Sequence, residues 1–79
     1  MKGGEHMSEW KKAIATNLRV YRAKAGITQE ELSAKAGVSV DAIGSYEREM
    51  SMPLLETACK IADALGCTVN DLCGFSKGV

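Results

Sequence analysis

The segment that most limits how this chain can fold is GITQEELSAKAGVSVDAIGSYERE, residues 26–49, because it holds two helix starts separated by one glycine. Thr28 and Glu31 form the T-x-x-E pattern of a capping box, in which hydroxyl and carboxylate each satisfy an amide left unpaired at a helix start. Gly37 supplies the positive φ of a sharp turn, and Ser39 is a second cap. The segment therefore predicts two short helices joined by a tight turn.

Helical signals flank this segment on both sides. Apolar residues at helical spacing precede it, and a second helical period follows Pro53 and ends at Gly66. Thr68 and Asp71 repeat the capping pattern for a short last helix, and no alternating strand pattern appears. We expect a compact all-α domain with five helices, at about residues 8–24, 29–36, 40–48, 54–65 and 69–73.

The length of 79 residues is that of one domain. Residues 1–7, MKGGEHM, are expected to be a disordered leader or an expression remnant, residues 8–75 the folded domain, and residues 76–79 a tail. No apolar run approaches the roughly 18 residues of a membrane span, and no secretion signal is present. The sequence therefore predicts a cytoplasmic protein that does not engage membranes.

The charge is unevenly distributed along the chain, although the formal net charge is zero. Residues 1–27 carry six cations and two acids, whereas residues 28–79 carry four cations and eight acids. A neutral total argues against a strongly basic nucleic-acid surface over the whole domain. The positive charge is concentrated in the first helix.

The three cysteines, Cys59, Cys67 and Cys73, are an odd number without an export signal, which predicts reduced, buried thiols. Metal binding and nucleophilic catalysis would both favour a positioned histidine, but His6 lies in the expected leader. We therefore expect neither a metal nor another cofactor, and no enzymatic activity.

Residues 10–74 resemble the lambda-repressor-like helix-turn-helix proteins of the Cro and xenobiotic-response-element type. The resemblance is carried by NLRVYRAKAGITQEELSAKAGVS, IGSYERE and PLLETACKIADALGCTVNDL. It implies a five-helix DNA-binding domain whose third helix enters the major groove while the second lies across the DNA backbone. It also implies that two domains read half-sites about one DNA turn apart, so double-stranded DNA and a second copy are the expected partners.

The positions that contact bases in this family correspond to Ser39, Val40, Asp41, Gly44 and Ser45. Val40 can contact a thymine methyl group, and Asp41 can accept a hydrogen bond from cytosine N4. The set contains no Arg, Gln or Asn, the residues that discriminate bases best. The resemblance therefore implies base contacts that are largely apolar or made by short side chains.

Phosphate contacts are expected from cations near the third helix and from the start of the second, since a helix N-terminus attracts phosphate. Arg22 and Glu47 match positions that form an ion pair between helices one and three in many relatives. The loop EMSM, residues 49–52, lacks the glycine and basic residues that relatives often carry there. The expected phosphate-contacting residues are Asn17, Arg19, Arg22, Thr28, Gln29 and Arg48.

The resemblance also suggests a dimer contact near the C-terminal helix, where apolar residues follow the fourth helix. For Leu72 the alternative, closing the core of its own domain, is favoured. Leu54 stands where relatives often carry a capping serine, which leaves Ser51 as a candidate cap. The expected contact residues are Leu54, Val69, Leu72, Cys73 and Phe75.

Two functions are compatible with these features. The first is a sequence-specific double-stranded DNA-binding transcriptional regulator that acts as a dimer. The alternative is a protein-interaction module of the same fold, antitoxin-like or binding a regulatory protein. In that alternative, Met50, Met52, Leu54 and Val40 would contribute to an adaptable apolar surface, unless the two methionines pack against the fourth helix.

Overall fold

The structure is a computed structural model that describes residues 3–74, with side chains from residue 9 onward. Within that range it contains five α-helices and no strand, which confirms the all-α fold class. The helices are α1 (Gly3–Ala25), α2 (Gln29–Ala36), α3 (Val40–Glu47), α4 (Leu55–Leu65) and α5 (Val69–Cys73).

The ends of three helices differ from those expected. α1 begins at Gly3 rather than at about residue 8, so its backbone is helical through residues 3–7 of the expected leader. Extending an existing helix costs little, because each added residue forms another hydrogen bond, and no proline interrupts this part of the chain. α3 ends at Glu47 with Arg48 as its C-cap, and Leu54 is the N-cap of α4 rather than its first residue. The expected tail, residues 76–79, lies outside the described residues.

The caps around α2 hold the tight turn that the sequence predicted. Thr28 N donates to Glu31 Oε1 at 2.8 Å, and Glu31 N donates to Thr28 Oγ1 at 3.0 Å, which completes the capping box. Gly37 ends α2 with φ 71°, and Ser39 Oγ accepts from the amide of Ala42 at 3.1 Å. Caps of this kind contribute about 1 kcal/mol each and fix where α2 ends and α3 begins.

The core receives a large buried side chain from each helix. Burial of one such side chain contributes about 1.5–3 kcal/mol, so these residues account for much of the packing of α3 against its neighbours. Leu72 is 4% exposed, so it closes the core of its own domain, the favoured alternative, and does not lie on a free surface. The leucine and isoleucine residues of this core cluster are, in chain order, Leu18, Leu32, Ile43, Ile61 and Leu72.

α1 spans the domain and packs against α3, α4 and α5, while α2 packs against α3 and α4. The α2–α3 pair is therefore supported from behind by the long first helix. No helix among residues 3–74 combines the length and apolar character that crossing a membrane requires.

Candidate nucleic-acid interface

The front of α3 is open to solvent. Ser39 and Asp41 are exposed, and Val40 is half-buried. Ser39 uses its hydroxyl oxygen to cap α3 through Ala42, so the start of the helix is held by a residue of its own turn. Three of the five expected base-contacting residues therefore lie together on an accessible helix start.

Gly44 does not lie on that accessible surface. It is buried, and a Cβ built on it would lie 2.8 Å from Arg48 Nη1 and 3.8 Å from Gln29 Oε1. Gly44 is therefore left out of the proposed base contacts. The group presented at this point of α3 is the guanidinium of Arg48, which is itself exposed.

Ser45 is tied to the loop that follows α3. Its Oγ lies 2.7 Å from Ser51 Oγ, and its carbonyl accepts from the amide of Met50 at 2.9 Å. Ser51 therefore pairs with Ser45 instead of capping α4, whose N-cap Leu54 offers no side-chain hydrogen bond. Ser45 as a whole residue is half-buried, but its hydroxyl and that of Ser51 form an exposed pair.

The turn after α3 has the hydrogen bonds of a Schellman motif, with a glutamate where glycine is usual. Glu49 has φ 63°, and its amide donates to the carbonyl of Tyr46 at 3.1 Å while Met50 N bonds to Ser45 O. A non-glycine residue in this left-handed region costs about 1–2 kcal/mol. The loop therefore adopts a Schellman turn without glycine, at the cost of local strain.

Glu47 is the point where α1, α2 and α3 meet. Although only 6% exposed, its carboxylate accepts from Arg22 Nε at 2.8 Å, from Arg22 Nη2 at 3.0 Å and from Gln29 Nε2 at 2.9 Å. Arg19 Nη1 donates to the backbone carbonyl of Glu47. The pair of Arg22 and Glu47 implied by the resemblance is thus present, and Gln29 is a third member that the sequence did not predict.

The electrostatics of this cluster favour a charged Glu47. Burial acts to raise the pKa of its carboxyl, but hydrogen bonds from Arg22 and Gln29, together with the positive charges of Arg22 and Arg19, hold that pKa below its ordinary value. The hydrogen bond to Glu47 raises the pKa of Arg22, against the effect of its own burial. Both groups therefore stay ionised together, and one acid of the α2–α3 region is neutralised internally.

Several expected phosphate contacts lie around this cluster, but part of their bonding capacity is already used. Arg22 also donates to the carbonyl of Ile27 at 3.1 Å, and its side chain is 22% exposed. The amide of Thr28 is used by Glu31, so the open amides at the start of α2 belong to Gln29 and Glu30, which have no intrahelical acceptor. Arg19 and Arg48 are exposed.

Asn17 lies apart from these residues. Its Nδ2 donates to the carbonyl of Leu72 at 3.1 Å, so it ties α1 to α5. At about 100° per residue, Asn17 is about 200° around α1 from Arg19, which bonds to α3. Asn17 therefore joins α1 to α5 and is left out of the proposed phosphate contacts.

The expected dimer-contact residues fall partly on an apolar groove of 240 Å³ between α1, α4 and α5. Leu54 is 78% exposed beside it, and Leu55, which the sequence did not single out, is 72% exposed and lines it. Phe75 lies outside the described residues. The groove is lined by Ile14, Pro53, Leu55, Ala58, Val69, Leu72 and Cys73.

The cysteines are free thiols, and Cys59 is exposed rather than buried as expected. It lies on the outer face of α4. Helical spacing alone did not show that neighbouring elements leave this residue uncovered. Among the residues that the structure describes, no three His, Cys, Asp or Glu side chains are grouped so that they could hold a metal ion.

Two short helices joined through Gly37, with the front of the second exposed, define a helix-turn-helix protein. The sequence profile of the family described as "Helix-turn-helix" matches residues 18–72. The chain belongs to this family, which confirms the resemblance to lambda-repressor-like proteins. The similar proteins carry names of transcriptional regulators, a transcriptional repressor or a hypothetical transcription factor.

Similar proteins come from both archaea and bacteria. An uncharacterised HTH-type transcriptional regulator of Archaeoglobus fulgidus is 42% identical over 59 residues, covering 75% of this chain and 84% of that protein. The cryptic phage CTXphi transcriptional repressor RstR of Vibrio cholerae is 36% identical over 47 residues, which are 60% of this chain and 42% of the repressor.

A solved structure supports the same assignment. The crystal structure of the hypothetical transcription factor NHTF from Neisseria superposes with a TM-score of 0.76 at 30% identity. The match covers 80% of this chain and 72% of that one. The likeness therefore extends over the whole helix-turn-helix region and beyond it.

Proposed function

We propose that this chain is a sequence-specific double-stranded DNA-binding transcriptional regulator that acts as a homodimer and places α3 in the major groove. The observation that carries the proposal is the Glu47 cluster, in which Arg22 of α1 and Gln29 of α2 hold the end of α3. A helix held at its far end by two neighbours presents its front at a fixed angle. That front, Ser39 to Asp41, is free to enter a groove.

Backbone contacts would come from the groups around the cluster. The amides of Gln29 and Glu30 at the start of α2 attract phosphate, and the exposed residues Arg19 and Arg48 add positive charge nearby. Arg22 and Gln29 keep further donors after bonding Glu47, because a guanidinium has five N–H groups and an amide two. These contacts would position α3 without specifying sequence.

Base contacts would come from Val40, Asp41 and Ser45, with Ser39 at the edge of the groove. A thymine methyl suits Val40, and cytosine N4 suits Asp41. None of these pairings is bidentate, so DNA shape would contribute a large share of the specificity. We expect a modest preference at each base pair.

The affinity should depend only weakly on salt. Five acids, Glu30, Glu31, Asp41, Glu47 and Glu49, lie between residues 28 and 52, and Glu47 is the one that Arg22 neutralises. If a dimer neutralises about four phosphates, log K falls with log salt with a slope near −3.6. The cytoplasm, where such a regulator meets its operator, is the proposed location.

The proposed dimer would use the groove between α1, α4 and α5. Leu54 and Leu55 are large apolar side chains left mostly in water by the monomer, and such patches commonly mark interfaces. A second copy related by a two-fold axis would cover the same residues on both chains. Val69 and Cys73, which line the groove, are the other contact residues that we retain.

One observation favours the alternative of a protein-interaction module. Met50 is 66% exposed and follows Glu49 in the loop after α3, next to the proposed DNA-facing surface. A flexible apolar side chain and an acid at this position suit a protein surface better than a phosphate backbone. A regulatory protein that docks there would compete with DNA rather than accompany it.

Selection from a random duplex library at low salt tests the proposal. We expect an enriched two-fold sequence whose binding is weakened by Arg48→Ala and by Ser45→Ala. Lys60→Ala is the matched control, because it removes one cation from α4, outside the proposed interface, where Lys60 pairs with Glu56 at 3.8 Å. Absence of any enriched sequence would overturn specific binding, and equal losses for Arg48→Ala and Lys60→Ala would overturn the proposed surface.

A further inference from the structure

Gly44 stands in the interior of α3, where glycine needs an explanation. Glycine in a helix interior is about 1 kcal/mol less favourable than alanine. Gly44 is not among the residues with positive φ, so the backbone of α3 does not require glycine at this point. The reason must lie in the space that a side chain would occupy.

That space is taken by Arg48. Its Nη1 lies 2.8 Å from the position that a Cβ on residue 44 would have, closer than such atoms approach, and Gln29 Oε1 lies 3.8 Å from the same point. Arg48 follows Gly44 by one helical turn, and helical side chains lean towards the N-terminus of their helix. The guanidinium therefore lies back along α3 over Gly44, and the side-chain amide of Gln29, the first residue of α2, reaches the same space.

We infer that Gly44 is a positioning residue for DNA binding, because its missing side chain lets Arg48 place its guanidinium beside the start of α2. The open amides of Gln29 and Glu30 are presented at that same helix start. A phosphate there would receive both the guanidinium and the amides. The inference rests on the proposed function. It identifies Gly44 as the residue that sets the conformation of Arg48, one of the proposed phosphate contacts.

The inference predicts that stability and affinity change in opposite directions. The atom nearest to a Cβ on residue 44 is the far end of a flexible side chain, so Gly44→Ala displaces Arg48 without disturbing the backbone. Alanine also favours the helix. The variant should therefore be more resistant to unfolding and bind DNA less well, a combination that a purely structural glycine would not produce.

A double-mutant cycle on the selected duplex tests the inference. We expect Arg48→Ala to bind about tenfold more weakly and Gly44→Ala about threefold to tenfold more weakly. The double variant should match Arg48→Ala within about twofold, because Gly44 acts only through Arg48. Each single variant should also flatten the salt slope by about 1.8, because a homodimer loses one phosphate contact, worth about 0.9, from each copy.

The inference is overturned if Gly44→Ala binds like the wild type, or if its loss adds in full to that of Arg48→Ala. Failure of the wild-type chain to bind any duplex would overturn the proposed function instead. Crystal structures of wild type and Gly44→Ala then test the placement separately. The guanidinium of Arg48 should cover residue 44 only in the wild type, and an unchanged position in the variant would contradict the inference.

Discussion

Arg22 on α1 and Glu47 on α3 form a bidentate ion pair, with Nε 2.8 Å from Oε2 and Nη2 3.0 Å from Oε1. Arg22 also bonds the carbonyl of Ile27 in the loop between α1 and α2. One guanidinium thus connects the end of the first helix, the entry to the second and the end of the third. The orientation of the α2–α3 pair depends on this side chain.

Arg22→Ala should destabilise the fold by about 2 kcal/mol, because it leaves the carboxylate of Glu47 buried without its main partner. This is below the 3–5 kcal/mol typical of a broken buried pair, since Arg22 is 22% exposed and Gln29 remains bonded. Urea unfolding at pH 7 measures the loss. Glu56→Ala is the matched control, because it breaks the exposed pair with Lys60 and should change stability by less than about 0.5 kcal/mol. Equal effects would contradict the role of the cluster.

The Glu47 cluster should make stability depend on acid pH. The pKa of Glu47 is lowered on folding from its ordinary value of 4.5, so the folded chain binds this proton less readily than the unfolded chain. The contribution is fully present above about pH 4.5 and is lost as pH falls through the lower folded pKa. Urea unfolding of wild type and Glu47→Gln between pH 7 and pH 3 measures it.

The pH series should also include a variant of Asp71, because hydrogen bonds from Thr68 lower the pKa of that carboxyl as well. Asp71→Asn removes the titration of the α5 cap and leaves that of the Glu47 cluster. We expect a smaller dependence on acid pH in each variant than in the wild type. A profile for Glu47→Gln that coincides in shape with the wild type would show that the cluster does not titrate as described.

Glu49→Gly should stabilise the fold by about 1 kcal/mol, because Glu49 has φ 63° and glycine adopts this conformation without a Cβ penalty. It also removes an acid from the loop after α3, so DNA affinity should rise. Thermal unfolding and duplex binding are measured on the same sample. Glu49→Gln is the control that removes the charge and keeps the strain: it should share the gain in affinity without the gain in stability.

Leu55→Asp should disrupt the proposed dimer, because this side chain is 72% exposed and lines the apolar groove. Sedimentation equilibrium should show a monomer for the variant and a dimer for the wild type, with unchanged helix content. Met50→Asp adds the same charge at another exposed apolar residue, outside the groove lining, and should leave the dimer intact. A monomeric wild type would contradict the proposed dimer but not the five-helix fold.

The helix starts and turns were predictable because their signals are local. The Thr28 and Thr68 capping boxes and the left-handed Gly37 each depend on residues within a few positions along the chain. The start of α1 was less predictable, since helix extension into residues 3–7 needs no specific signal. Family resemblance, rather than local pattern, supplied the pair of Arg22 and Glu47.

The features that the sequence did not reveal depend on where side chains from different elements meet. Gln29 completes the Glu47 cluster across 18 positions, and Asn17 bonds Leu72 across 55. From the sequence, Gly44 is expected to be exposed. Only the structure shows that the side chain of Arg48 covers it. Helical periodicity specifies which face of a helix is apolar, but not which neighbour covers the other faces.

An NMR titration of the chain with its selected duplex tests whether α3 is the surface that reads DNA. We expect the largest backbone amide shifts at residues 39–41 and at Gln29 and Glu30, with little change along the outer face of α4 around Lys60. Shifts confined to Leu54, Leu55 and α4, with the front of α3 unaffected, would contradict the claim that α3 is the surface that reads DNA.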